Sequence, residues 1–124
     1  SGLSKEAKVM CDLLQRNGFE VVSVMCKVGG RDKCAVGVPD EHKLHPGQYE
    51  AMCNPIFQAR LLNGQKTEFN IALGLCVGHD SLFYKYSDAL VTTLIAKDRV
   101  LAHNPAGALY CAEGYYKNKL DAQP

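Results

Sequence analysis

EFNIALGLCVGHD, residues 68–80, decides the fold. The run Ile71-Ala72-Leu73-Gly74-Leu75 is apolar almost without interruption, and it stops abruptly at a cysteine, a glycine turn, a histidine and an aspartate. Such a run has the length and composition of a strand over 68–75, with Cys76-Val77-Gly78 as the turn that ends it. Asp80 or Ser81 then offers an N-cap for a short helix through Tyr86, and the β-branched stretch 90–96 makes the next strand. Strand, helix, strand in this order is the unit from which parallel sheets are built.

Working outward, the same alternation recurs upstream. Ser4 is a good N-cap, and Ala7, Met10, Cys11, Leu13 and Leu14 recur at helical spacing until Gly18, which predicts a helix over 5–17. Residues 19–25 are apolar and β-branched, end at Cys26, and read as a mostly buried strand before the Gly29-Gly30 turn. Asn54-Pro55 is a helix start with two signals in register, since Asn caps and Pro lacks only an N–H that the first turn leaves unused. It predicts a helix over 55–63. His103-Asn104-Pro105 repeats the device for a helix over 105–117, after a short return strand over 99–102. Residues 31–52 carry charges, Pro39 and Pro46 without a period, and loops of this length are usually functional or disordered. The expected class is α/β, a three-layer αβα arrangement with a mainly parallel sheet of Rossmann-like or flavodoxin-like type, in a single domain over 1–124.

Composition narrows the function. Lys and Arg total 14 against 13 Asp and Glu, with the signs interspersed, so there is no basic stripe of the kind nucleic acid recruits. No apolar run approaches the roughly 20 residues of a membrane helix, and no signal peptide is visible. Six cysteines, at 11, 26, 34, 53, 76 and 111, are many for 124 residues, yet the apolar strands and helices are unlike those of small disulfide scaffolds. A reduced, cytoplasmic setting fits them, and there each thiol is a small hydrophobe, a reactive group or a metal ligand.

Two strands end alike, at Cys26 and at Cys76, each just ahead of a glycine turn. Two helices begin alike, with Cys53 and His103 each just ahead of an Asn-Pro start. In an open parallel sheet the carboxyl ends of strands and the amino ends of the following helices share one edge, where ligands bind. Cys26, Cys53 and Cys76 are therefore the expected metal ligands, joined by His79, with Asp80 and His103 as supporting neighbours. Thiolates suit iron–sulfur clusters or zinc, and imidazole suits zinc and iron, so an iron–sulfur cluster or Zn is the expected cofactor. Cys11 and Cys111 read as packing residues, Cys34 as an incidental thiol or an extra ligand, and His42 and His45 as solvated loop residues. Neither a phosphate-binding loop, a dinucleotide fingerprint nor a serine nucleophile elbow is present.

The blocks EAKVMCDLLQRNGFEVVSVMCKVGG (6–30), MCNPIFQARLLN (52–63) and GLCVGHDSLFYKYSDALVTTLIAKDRVLAHNPAGALY (74–110) resemble an uncharacterised family of anaerobic bacterial and archaeal proteins, labelled only as metal-binding. The resemblance covers nearly the whole chain and implies metal binding through Cys26, Cys53, Cys76 and His79. Members of that family continue upstream with a further strand and more cysteines, so the resemblance implies that this chain is the C-terminal portion, without the upstream cysteine-containing segment. It implies no reaction. The expected function is a metal- or iron–sulfur-binding domain serving redox or metal-dependent chemistry on a small molecule. Two alternatives stand beside it: a metal-free thiol enzyme using Cys76 with His79 and Asp80, and a non-catalytic ligand-binding domain. A metal or small molecule is the expected partner, with neither nucleic acid nor membrane, and homo-oligomerisation remains open.

Overall fold

The structure, a computed structural model, describes residues 3–120. Helix α1 (Ser4–Arg16) is followed, after the charged loop, by α2 (Pro55–Gly64), strand β1 (Phe69–Cys76), α3 (His79–Tyr86), β2 (Leu90–Lys97), α4 (Pro105–Tyr110) and α5 (Lys117–Leu120). Strands β1 and β2 pair in parallel, with Phe69 opposite Leu90 and Cys76 opposite Lys97. The stretch 68–80 thus forms the strand, turn and helix that its composition predicts, and the class is α/β, a parallel sheet flanked by helices.

The pairing is irregular in its second half, where the register shifts between Ala72 and Leu73 and again between Leu73 and Leu75. Gly74 lies at that break with φ of +71°, and the side chain of Leu3 presses against its backbone, where a Cβ would stand 2.7 Å from Leu3 Cγ. Only glycine meets both demands without strain.

The core is small and sits where α2 and α3 meet the sheet. Cys26, Ala59, Leu62, Ala72, Leu75 and Phe83 form one buried cluster, with Val24, Cys53 and Val91 packed against it. Two amides fix the ends of the elements around it. Asn63, on α2, donates to the Tyr86 carbonyl (2.9 Å) and accepts from the Asp88 N–H (3.0 Å), joining α2 to the turn after α3. Asn70, buried on β1, donates to Ser87 Oγ (2.8 Å) and accepts from Thr67 Oγ1 (2.9 Å). Each amide thus has a partner on both its N–H₂ and its carbonyl, which offsets the cost of taking it out of water.

Several local expectations are corrected. Ser4 is the first residue of α1 rather than its cap, and Leu3 occupies the cap position with no side-chain hydrogen bond. The expected return strand over 99–102 is a turn, closed by Asp98, whose carboxylate accepts from the Val100 and Leu101 N–H groups. The last helix is broken: α4 ends at Tyr110, and turns separate it from α5. Gly114 falls in the intervening turns, and a glycine there costs a helix about 1 kcal/mol against Ala. Residues 19–25, expected as a mostly buried strand, form no strand: among the described residues they carry no regular secondary structure and no ladder, because no neighbouring segment supplies the hydrogen bonds a strand needs. Residues 31–52, in contrast, are ordered by short 3₁₀ turns at Cys34–Val36 and Asp40–His42 and by an antiparallel bridge from Asp32 to Ala51.

Candidate thiol site

Cys26 and Cys53 come together, with Sγ atoms 4.0 Å apart and Cys26 the more buried. Three local devices put them there. The extended segment 19–25 ends at Cys26, which enters the core beside Leu75 and Phe83. The backbone of Asn54 then donates to the Cys26 carbonyl (2.7 Å), pinning residue 53 against residue 26. Finally, the Asn54 side chain accepts from the Phe57 N–H (2.9 Å), so α2 starts immediately after Cys53, as the Asn-Pro signal predicts.

The long loop explains how a residue 27 positions downstream returns to Cys26. Met52 donates to the Arg31 carbonyl (2.8 Å) and Lys33 to the Glu50 carbonyl (3.0 Å), so the loop's two ends zip together. Inside it Lys43 is buried, donating to the Gln48 carbonyl (2.7 Å) and pairing with Asp40 (3.0 Å) and Asp32 (3.4 Å). Lys33 pairs with Glu50. The hydrogen bond to Asp40 holds the Lys43 ammonium well above the ordinary lysine range. In return, the Lys43 hydrogen bond and the Gly47 N–H depress the Asp40 carboxyl. At Asp32 burial pushes upward, but the Cys34 N–H and Lys43 outweigh it and the net shift is down. A lysine in a charged run carries no sequence signal of burial, so composition alone gave no reason to single out Lys43.

Cys76 closes β1 and is half-buried. Burial first, then the negative charge of Cys26 and their hydrogen bond, and then the charge of Cys76 push the Cys53 thiol upward. Cys53 thus feels both Cys26, with which it is in contact, and Cys76. His79 is the first residue of α3, and no hydrogen bond joins it to Cys76 among the described residues. Gly78, with φ of +95°, turns the chain into α3 between them. Asp80 spends its Oδ1 on the Gly78 and Ser81 N–H groups, both at 2.9 Å, stabilising this turn. His103 is likewise engaged at home: its Nδ1 accepts from the Asp98 N–H (3.1 Å), and its own N–H donates to the Asp98 carbonyl (2.7 Å). Among the described residues no three His, Cys, Asp or Glu side chains form a ready metal-holding group.

The remaining cysteines divide. Cys11 is half-buried on α1, and Cys34 is exposed with its thiol directed to Asp40 Oδ1 (3.7 Å). Cys111, expected to pack, is exposed because α4 ends just before it. His42 and His45 are exposed, as expected of loop residues.

Comparison with known proteins gives a family and no chemistry. The chain is 54% identical over 119 residues to Uncharacterized protein MJ0455 of Methanocaldococcus jannaschii, a match that covers 96% of this chain and 58% of that protein. This chain therefore spans little more than half the length of that relative. No solved structure matches it. Residues 1–94 match the family described as Protein of unknown function (DUF1847). That match covers well over half of the chain, which therefore belongs to the DUF1847 family, whose function is unknown.

Proposed function

We propose that this chain is a metal- or iron–sulfur-binding α/β domain in which Cys26, Cys53 and Cys76 are ligands and His79 supplies a further donor or supports one. The contact between Cys26 and Cys53 carries the reading. Two thiolates on one tetrahedral zinc, each at ~2.3 Å, stand about 3.8 Å apart, close to the 4.0 Å between these sulfurs. The same separation is about twice a disulfide bond, so the pair is two free thiols. Burial first, and then the charge of Cys26, push the Cys53 thiol upward, and that penalty on its thiolate is what a bound cation would relieve. Soft sulfur donors suit zinc or iron, and a bound ion would supply Lewis acidity or, as a cluster, electron transfer. In this reading the site lies at the carboxyl edge of the sheet. The domain is the C-terminal part of a longer polypeptide in a reduced, cytoplasmic setting, and its partner is the metal or a small molecule. The thiol-enzyme alternative lacks a comparable contact, since Cys76 and His79 share no hydrogen bond.

Anaerobic purification with elemental analysis and absorption spectroscopy tests the proposal. Iron or zinc near one site per chain is expected, lost in Cys26→Ser and Cys53→Ser. Absence of both metals, or a metal content indifferent to both substitutions, would refute it.

A further inference from the structure

The extended segment 19–25 and strand β1 do not pair with each other. Between them lies a cavity of about 820 Å³, bounded by backbone on both long sides. On one side, among the described residues, the N–H groups of residues 20–25 make no backbone hydrogen bond. On the other, β1 pairs only with β2, so its second edge faces the gap. The helical walls are mainly apolar: α1 contributes Ala7, Cys11 and Leu14, and α2 and α3 contribute Leu62 and Phe83, with Ser4, Lys8 and Gln58 as the polar positions. Val22 and Ile71 line the same space and are left exposed.

The arrangement is that of a parallel sheet with one place open. Strand β1 has the near-continuous apolar composition of a strand enclosed on both faces, yet it stands at an edge, and long apolar edges are rare because they invite pairing. Residues 19–25 and β1 run in the same sense, for Cys26 and Leu75, near their ends, meet in one core cluster. A hydrogen-bond acceptor also waits on the gap. Gln58 is 4% exposed and lines the cavity; its Nε2 donates to the Val24 carbonyl (2.9 Å), but its buried Oε1 has no partner. An unsatisfied buried acceptor of this kind calls for a donor, and a backbone N–H is one.

We propose that the cavity receives a β-strand, parallel to β1 and hydrogen-bonded to both β1 and residues 19–25, which becomes the central strand of a four-stranded sheet. Its source is the part of the longer family polypeptide that the 58% coverage of the Methanocaldococcus jannaschii relative leaves unmatched. Residues 19–25 span roughly 23 Å at about 3.3 Å per residue, so about seven extended residues fill the place. The mostly apolar lining, with Ala7, Leu14, Leu62, Ile71, Leu73 and Phe83 around the gap, selects a Val-, Ile- and Leu-rich sequence rather than an alternating one. Leu3, against Gly74 near the carboxyl end of β1, marks where a strand leading into α1 would finish. The strand assignment itself stands without a metal.

Synthetic peptides tiled across the unmatched part of the relative, added to this chain, test the assignment by hydrogen exchange. One apolar peptide should slow exchange at residues 20–25 and along β1 together, by at least about tenfold, and raise the melting temperature. In the intact relative the segment aligned with 19–25 should be protected without any addition. Exchange unchanged by every peptide, together with an unprotected segment in the intact relative, would overturn it. So would protection that appears in this chain alone with concentration-dependent dimerisation, which would assign the place to a second copy. Binding of an apolar dye that no peptide displaces would assign it to a small molecule instead.

Discussion

Phe83→Ala is the substitution with the most to say about how this domain holds together. Phe83 is 4% exposed, on the face of α3 that meets Ala72 and Leu75 of β1 and Ala59 and Leu62 of α2. A phenylalanine side chain offers roughly 200 Å² for burial, worth about 5 kcal/mol at ~25 cal/mol/Å² when wholly covered. Truncating such a residue leaves a void that a close-packed interior only partly closes, and the cost expected here is about 3–5 kcal/mol. Domains of this size are stable by about 5–15 kcal/mol, so a fifth or more of the total would go. Phe69→Ala makes the same chemical change at a residue that is 55% exposed. With less than half of the ring covered, about 2 kcal/mol is the most it should cost. Urea unfolding followed by circular dichroism would read both, with an unchanged slope expected because the surface exposed on unfolding is nearly the same. Equal losses at the two positions would refute the reasoning, for they would mean that α3 does not cover the sheet.

Three further outcomes are expected. Asn54→Ala and Asn104→Ala each remove an N-cap and should cost about 0.5–2 kcal/mol; only Asn54→Ala should also weaken reaction with an arsenical that bridges two adjacent thiols, because Asn54 follows Cys53. Gly74→Ala should cost at least about 1–2 kcal/mol from its left-handed backbone alone, and Leu3→Ala in the same chain should recover part of the loss, read as a coupling energy in a double-mutant cycle. The loop 31–52 should show a pH window in hydrogen exchange. Asp32 and Asp40 have carboxyls lowered from 3.8, so their contribution is present above that value and fades as pH falls below it; Lys43 is raised from 10.5, so its contribution is complete below that value and fades as pH climbs beyond it. Protection that stays flat from pH 7 down to pH 2 would show that these pairs do not order the loop.

Much of this architecture is legible in local chemistry alone. The apolar run 71–75 with its glycine turn could be little else than a strand feeding a helix, and both Asn-Pro pairs cap helices at the positions they announce. The sequence placed Cys26 just before a glycine turn and Cys53 just before a helix, but the zipped ends of the 31–52 loop and the Asn54 N–H on the Cys26 carbonyl are what bring them together. It did not reveal that Asp80 and His103 are engaged within their own turns, because a side chain that closes its own backbone looks in sequence like one held ready for a ligand. Nor could it distinguish Lys43 from its exposed neighbours.

What the sequence determined by itself is therefore the set of local conformations: which segments are helical, which are extended and where each ends. Periodicity, caps and glycine turns act over a few residues and need no distant partner. Only the tertiary structure decided which extended segments are paired. Residues 19–25 have the composition of an enclosed strand but form none, since a strand is completed by hydrogen bonds to another segment, and the neighbouring place beside β1 stands open. Pairing is a property of two pieces of chain, which no reading of one piece can supply.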